Sequence, residues 1–181
     1  MEDTQKKLNL YKFLGASLID QGQRFLAKAH HVKITQTISG ATLSNFLKGL
    51  GLEKVYNADH KFCLTSWKTW ESLIKYDWVD RKKYLAERRD CDNFADAFAA
   101  QMSVIYGLNT AGRARGIKII DANTGKFLNY HRANLIVATG ESGNLVAYAL
   151  EPQTDEYAMI KKNQPVTLRN WLYQWNYFEF G

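Results

Sequence analysis

Cysteine and proline are scarce in this 181-residue chain, with two of each. Two thiols, Cys63 and Cys91, cannot build the disulfide framework of a small secreted protein. Low-complexity segments and internal repeats are absent. No apolar stretch approaches the ~20 residues needed to span a bilayer. The start, Met1-Glu2-Asp3-Thr4-Gln5-Lys6-Lys7, has no apolar core of a signal peptide. These absences lead us to expect a soluble cytoplasmic protein in a reducing compartment, with no membrane partner.

Charge of one sign is in mild excess but not concentrated. Lys and Arg number 24 against 18 Asp and Glu, a net charge of +6. The cations are scattered as Lys6-Lys7, Arg81-Lys82-Lys83, Arg88-Arg89 and Lys161-Lys162. Zinc-finger spacing and RNA-recognition aromatic motifs are both missing, so a solvated basic surface is expected and no nucleic-acid partner. The hydrophobic fraction of 46% and the five Trp, ten Tyr and nine Phe supply ample area for one buried core.

Periodicity divides the chain. Leu8, Tyr11, Leu14, Leu18 and Phe25 approximate a helical stripe over residues 5–30. Val32 to Ile38 alternates like a strand. Thr42 to Leu47 begins a short helix that Gly49 and Gly51 end. Ser66 to Tyr76 reads as a helix with Ser66 as N-cap, and Trp67, Trp70 and Trp78 suit core packing better than a groove wall. The clearest helix runs from Asp92 to Tyr106, capped by Asp90 and ended by Gly107. The period then changes to 2. Strands are expected at Gly116–Ile120, Leu128–Thr139 and Leu145–Leu150, with Pro152 ending regular pairing. Residues 166–180 form an aromatic segment of no assigned type. Helices followed by an antiparallel β meander predict an α+β domain over residues 41–181, after an N-terminal helical segment over 1–40.

The string Arg89-Asp90-Cys91-Asp92-Asn93-Phe94-Ala95 puts a thiol on the first turn of the best helix. Unpaired N–H groups there favour thiolate and can hold an oxyanion. Of four histidines, only His131 lies in an expected sheet strand. A turn centred near Ser142 places Gln153 opposite His131 and Glu151 opposite Ala133, so Glu151 and His131 share one face as diagonal neighbours. A carboxylate closing an apolar strand also calls for a partner.

This constellation resembles the papain-like cysteine protease domain of the Marasmius oreades agglutinin type, with its bacterial and phage relatives. The resemblance rests on Cys91-Asp92-Asn93-Phe94-Ala95, His131 forty residues later, and Glu151-Pro152-Gln153 twenty beyond that. It covers roughly residues 65–180. It implies a papain-like fold with the nucleophile at a helix N-terminus, and a thiol peptidase acting on peptide or protein substrates through a Cys91–His131–Glu151 triad. It also implies activation by calcium beside the nucleophile, for which manganese could substitute. Asp90, Asp92 and Asn93 supply hard oxygen ligands there, and Glu151 or Asp155 could add another. Papain's oxyanion glutamine has no counterpart six residues before Cys91, where Leu85 stands, and Gln153 is the candidate donor instead. The agglutinin's β-trefoil lectin half is missing, so sugar binding is not carried over. Alternative readings are a cell-wall endopeptidase or transglutaminase-type acyl transferase on the same fold, and a non-catalytic phage or bacterial protein that binds a metal or a partner.

Overall fold

A computed structural model describes residues 32–181, apart from Glu53, Glu87, Arg89, Asn163 and Asn176. The chain divides into Met1–Val32 and Lys33–Gly181, and the description concerns the second unit. The helix expected over residues 5–30 lies outside the described residues.

Strand β1 (Gln36–Ser39) leads directly into helix α1 (Gly40–Gly49), where the Ser39 hydroxyl accepts the Thr42 N–H. Two short strands that sequence periodicity did not reveal follow, β2 (Val55–Asn57) and β3 (Lys61–Leu64). Helix α2 (Trp67–Tyr76) is capped by Ser66 as expected and buries Trp70, Leu73 and Ile74. Helix α3 (Cys91–Tyr106) begins one residue before its expected start. It ends on Gly107, whose φ of 68° is the left-handed cap that glycine adopts without a Cβ clash.

The rest is strand: β4 (Ala111–Asp121), β5 (Phe127–Thr139), β6 (Leu145–Glu151), β7 (Glu156–Met159), β8 (Val166–Leu168), β9 (Trp171–Gln174) and β10 (Tyr177–Phe180). Eight strands join one sheet along β2-β10-β4-β5-β6-β7, with β9 also on β4 and β8 on β9. The β10–β2 pairing is parallel, so the sheet is mixed.

This corrects the expected fold class. Among the described residues strand outweighs helix, with strands before the first helix and between the first and second. The papain-like α+β plan of helices first is not what the backbone follows, since β1, β2 and β3 precede α2, although β4, β5 and β6 after α3 do form an antiparallel meander. Two local reasons account for the difference. Pro152 does not end the sheet: the chain turns over residues 152–155 and returns as β7, with Glu151 opposite Glu156. The aromatic segment after residue 165 is three strands rather than a loose closure, and its β10 fills the space between β4 and β2.

Strand β4 is long enough to serve two neighbours. Arg113–Arg115 pairs with β10, and Lys118–Asp121 pairs with β9. A register shift between Ala114 and Ile117, with Gly116 at φ 63°, redirects the strand between them. Gly112 is required for a different reason: a Cβ there would lie 2.6 Å from the Phe180 ring.

Helix α3 packs Phe94, Ala95, Phe98, Ala99 and Met102 inward. Each large side chain so buried contributes about 1.5–3 kcal/mol. Buried Asn134 on β5 donates to the carbonyls of Ala95 (2.9 Å) and Gly112 (3.2 Å), tying the start of the helix to the sheet. Asp96 strengthens this junction through Arg113 (3.0 Å) on β4 and Arg132 (3.1 Å) on β5. The helix start and the middle of β5 are therefore held in fixed relation, and that is where the candidate site lies.

Candidate functional site around Cys91, His131 and Glu151

Cys91 is the first residue of α3 and is half-buried. Asp90 and Asn93 form a reciprocal cap around it, with Asn93 Oδ1 accepting the Asp90 N–H at 3.2 Å. Asp92 Oδ1 accepts the Asn93 N–H at 2.9 Å. A hydrogen bond with Asp90 and, beyond it, the charge of Arg132 hold the Asp92 carboxyl below the usual carboxylate range.

The pairing of β5 with β6 runs from Asn134 opposite Leu150 to Thr139 opposite Leu145. Continued one step, that register sets Ala133 beside Glu151 and leaves His131 and Glu151 diagonal. The side chains meet: His131 Nε2 lies 2.6 Å from Glu151 Oε2. Glu151 is fully buried. It also accepts the Tyr173 hydroxyl at 2.9 Å and, more weakly, the Gln153 N–H at 3.4 Å. Burial first, then the Glu151 charge and hydrogen bond, push the Tyr173 phenol upward, so this hydroxyl stays a donor.

Burial alone would lower the His131 imidazole. Hydrogen bonds to Cys91 and Glu151, with the negative charge of both partners, outweigh it and push the ring up to about 9. Nε2 is committed to Glu151, which leaves Nδ1 for the thiol. Trp171 and Tyr173 of β9 hold the ring edge-on at centroid distances of 5.9 Å. The group therefore combines a thiol at a helix N-terminus, a protonated imidazole and a buried orienting carboxylate. Such a sulfur is nucleophilic toward electrophilic carbon.

A groove of about 340 Å³ opens over this group. Tyr84, Tyr130 and Trp171 give it aromatic walls, and Asn129, His131 and Gln153 add polar atoms. The structure thus brings together Cys91, His131, Glu151 and Gln153. It adds Tyr173 and Trp171, which sequence reasoning missed because their segment had no assigned type. The alternation in Trp171-Leu172-Tyr173-Gln174 was the available signal.

The expected cation ligands do not assemble as one group. Asp90, Asp92 and Asn93 satisfy one another and the helix start, whereas Asp155 lies with Asp77 and Asp80. Carboxylate oxygens of these three lie within 4.8 Å of one another, the one such cluster among the described residues. Asp77 Oδ2, Asp80 Oδ1 and Asp155 Oδ1 are buried without a hydrogen-bond partner. Arg81 Nε lies 3.9 Å from Asp80 Oδ1, beyond hydrogen-bond range. Burial and the Asp155 charge push Asp77 up to about 7, and burial and the Asp80 charge push Asp155 up to about 6. Crowded, orphaned hard oxygens fit a divalent cation better than they fit an empty protein interior. The Asp77-Trp78-Val79-Asp80 spacing at the end of α2 was the sequence signal for it.

Comparison with known proteins completes the description. No family model matches the chain, and no curated protein matches it. Solved structures do. One is Polyporus squamosus lectin bound to the human-type influenza-binding epitope Neu5Aca2-6Galb1-4GlcNAc, with a TM-score of 0.55 and 18% identity over 80% of this chain and 49% of that one. Another, described as a PSL1a-E64 complex, has a TM-score of 0.54 and 19% identity over 80% of this chain and 51% of that one. The chain spans about half the length of these matched chains and shares their fold. The family expectation is corrected accordingly: the structural likeness is to a lectin. At 18–19% identity the likeness shows the fold alone, and nothing in it supports the thiol peptidase, its peptide substrate or the enzyme assignment that the protease resemblance carried. No helix among the described residues is long and apolar enough to cross a membrane.

Proposed function

We propose that this chain is a cation-dependent ligand-binding domain. The observation that carries the reading is the convergence of three buried, partnerless carboxylate oxygens from Asp77, Asp80 and Asp155. Calcium is the favoured occupant, because it accepts several oxygen ligands in flexible geometry, with manganese as a substitute. Asp155 sits four residues beyond Glu151, in the turn that also carries Gln153 to the groove. A cation there would neutralise the acidic cluster and hold this turn.

The groove over Cys91 and His131 is the ligand seat. Its aromatic walls suit the flat apolar face of a ring, and Asn129, Gln153 and His131 suit hydroxyl groups on the ring edge. Together with a fold shared with a lectin, this favours a hydroxyl-rich ligand such as a glycan. The thiol–imidazole pair gives the groove a charged polar centre and a nucleophile toward electrophiles.

Calorimetric titration of calcium and manganese, followed by glycan-array binding in calcium and in chelator, tests the reading. Saturable cation binding lost in Asp77→Asn, with ligand binding weakened by chelator and by Trp171→Ala, supports it. Absence of cation binding overturns the first half. Time-dependent chemical conversion of a bound ligand, lost in Cys91→Ala, overturns a role limited to binding.

A further inference from the structure

A second cavity, of about 350 Å³, is lined in part by side chains from the first two turns of α3. Its apolar walls are Trp78, Phe94 and Ala97, and its polar rim is Lys82, Arg88 and Asn93. Trp78 exposes 39% of its surface, an unusual state for an indole in a chain that buries Trp70 completely. The Lys82 ammonium lies over the Trp78 ring, 5.3 Å from its centroid. Neither Lys82 nor Arg88 has a carboxylate partner in an ion pair among the described residues, although Arg81, Arg113, Arg115 and Arg132 each have one. Asn93 spends its Oδ1 on the Asp90 N–H and retains its amide hydrogens as donors.

From this geometry we propose that the cavity is a binding site for a small ligand that carries an anionic group, carboxylate or phosphate, on a flat apolar body. The body stacks on the exposed indole face and against Phe94. The anion is held by the Arg88 guanidinium and the Lys82 ammonium, with the Asn93 amide as a further donor. Charge complementarity selects the occupant. Two cations that lack a carboxylate partner among the described residues, beside an apolar wall, disfavour a purely apolar guest and a cationic one. A planar guanidinium accepts either oxyanion in a two-pronged arrangement. The site uses other side chains than the acidic cluster and the groove over Cys91, although its walls Trp78 and Val79 lie between Asp77 and Asp80.

The test uses benzoate and phenyl phosphate as probes and benzyl alcohol as the neutral control, titrated into the whole chain and followed by NMR shifts of the indole N–H signals. Saturable binding of one or both anions, with benzyl alcohol at least about tenfold weaker, is expected. Arg88→Gln and Lys82→Gln, both at exposed positions, should each raise the dissociation constant about tenfold and narrow the gap to the neutral control. The carboxylate and phosphate arms decide which oxyanion is preferred. Equal binding of benzyl alcohol, or dissociation constants unchanged in both variants, overturns the proposal. Binding that is lost in Tyr130→Ala but kept in Arg88→Gln also overturns it, by placing the probes over Cys91 instead.

Discussion

Replacing His131 by Asn removes an imidazole held in its charged form between two partners, and the consequence depends on pH in a calculable way. Raising the ring from its ordinary 6.5 to about 9 corresponds to about 3 kcal/mol of preference for the protonated form in the folded chain. The sign follows from linkage. The folded value lies above the unfolded one, so the contribution is fully present below about pH 6.5 and is lost as pH rises through about 9. The ring is 9% exposed, so solvent screens little of it. The expected result is a stability gap between the parent and His131→Asn that is about 3 kcal/mol larger at pH 6 than at pH 10. For a chain of this size that is roughly 6–12 °C in melting temperature. Denaturant unfolding of both proteins at pH 6, 8 and 10 measures it. A gap that stays constant across this range would refute the charged pairing with Glu151 and Cys91, whatever its absolute size.

The acidic cluster makes its own prediction. Calcium at about a hundred times its dissociation constant should stabilise the parent by about 2.7 kcal/mol, whereas Asp77→Asn should gain nothing and should match or exceed the parent in chelator, since it removes a repelling buried charge; differential scanning fluorimetry checks both. Iodoacetamide followed by peptide mass spectrometry should label Cys91 at least about tenfold faster than Cys63 at pH 7, and His131→Asn should erase the difference. Equal rates in the parent would mean that the imidazole does not activate the sulfur. Gly112→Ala should lose about 1–3 kcal/mol by forcing a methyl group against the Phe180 ring, 2.6 Å away. A neutral result in thermal unfolding would show that this ring can move aside.

The parts legible in the sequence were those set by local rules. Ser66, Asp90 and Gly107 marked helix ends because capping depends on a few adjacent residues. The β5–β6 register could be counted from one turn, and with it the meeting of His131 and Glu151. What could not be read depends on partners far along the chain. The short strands β2 and β3 have too few residues to show a period. The aromatic segment after residue 165 becomes strand because β4 offers it two stretches of its free edge, one on each side of the Gly116 bulge. The acidic cluster joins residues 77, 80 and 155 across more than seventy positions, and the nearer Asp90 and Asp92 drew attention from it. They were the weaker candidates for a physical reason: a first-turn carboxylate already has the helix, its cap and here Arg132 to satisfy it.

The two parts of the proposed site share five residues of chain. Glu151 ends β6 by accepting His131 and Tyr173, and Asp155 reaches the acidic cluster. Between them the Thr154 and Asp155 N–H groups both return to the Glu151 carbonyl, at 3.1 and 3.0 Å. Asp155 sits at φ 59°, a backbone state that a non-glycine residue holds only when its surroundings enforce it. The buried carboxylate on one side and the cluster on the other are what could enforce it. Emptying the cluster leaves repelling carboxylates that favour moving Asp155 outward, and any such movement pulls on the peptide carrying Gln153 and on the strand end carrying Glu151. A cation bound at the proposed cluster would therefore be coupled to the state of the His131 imidazole through this turn. Binding linkage then requires the effect to run both ways, so a change at His131 that shifts cation affinity must be matched by a cation-induced shift in the His131 titration.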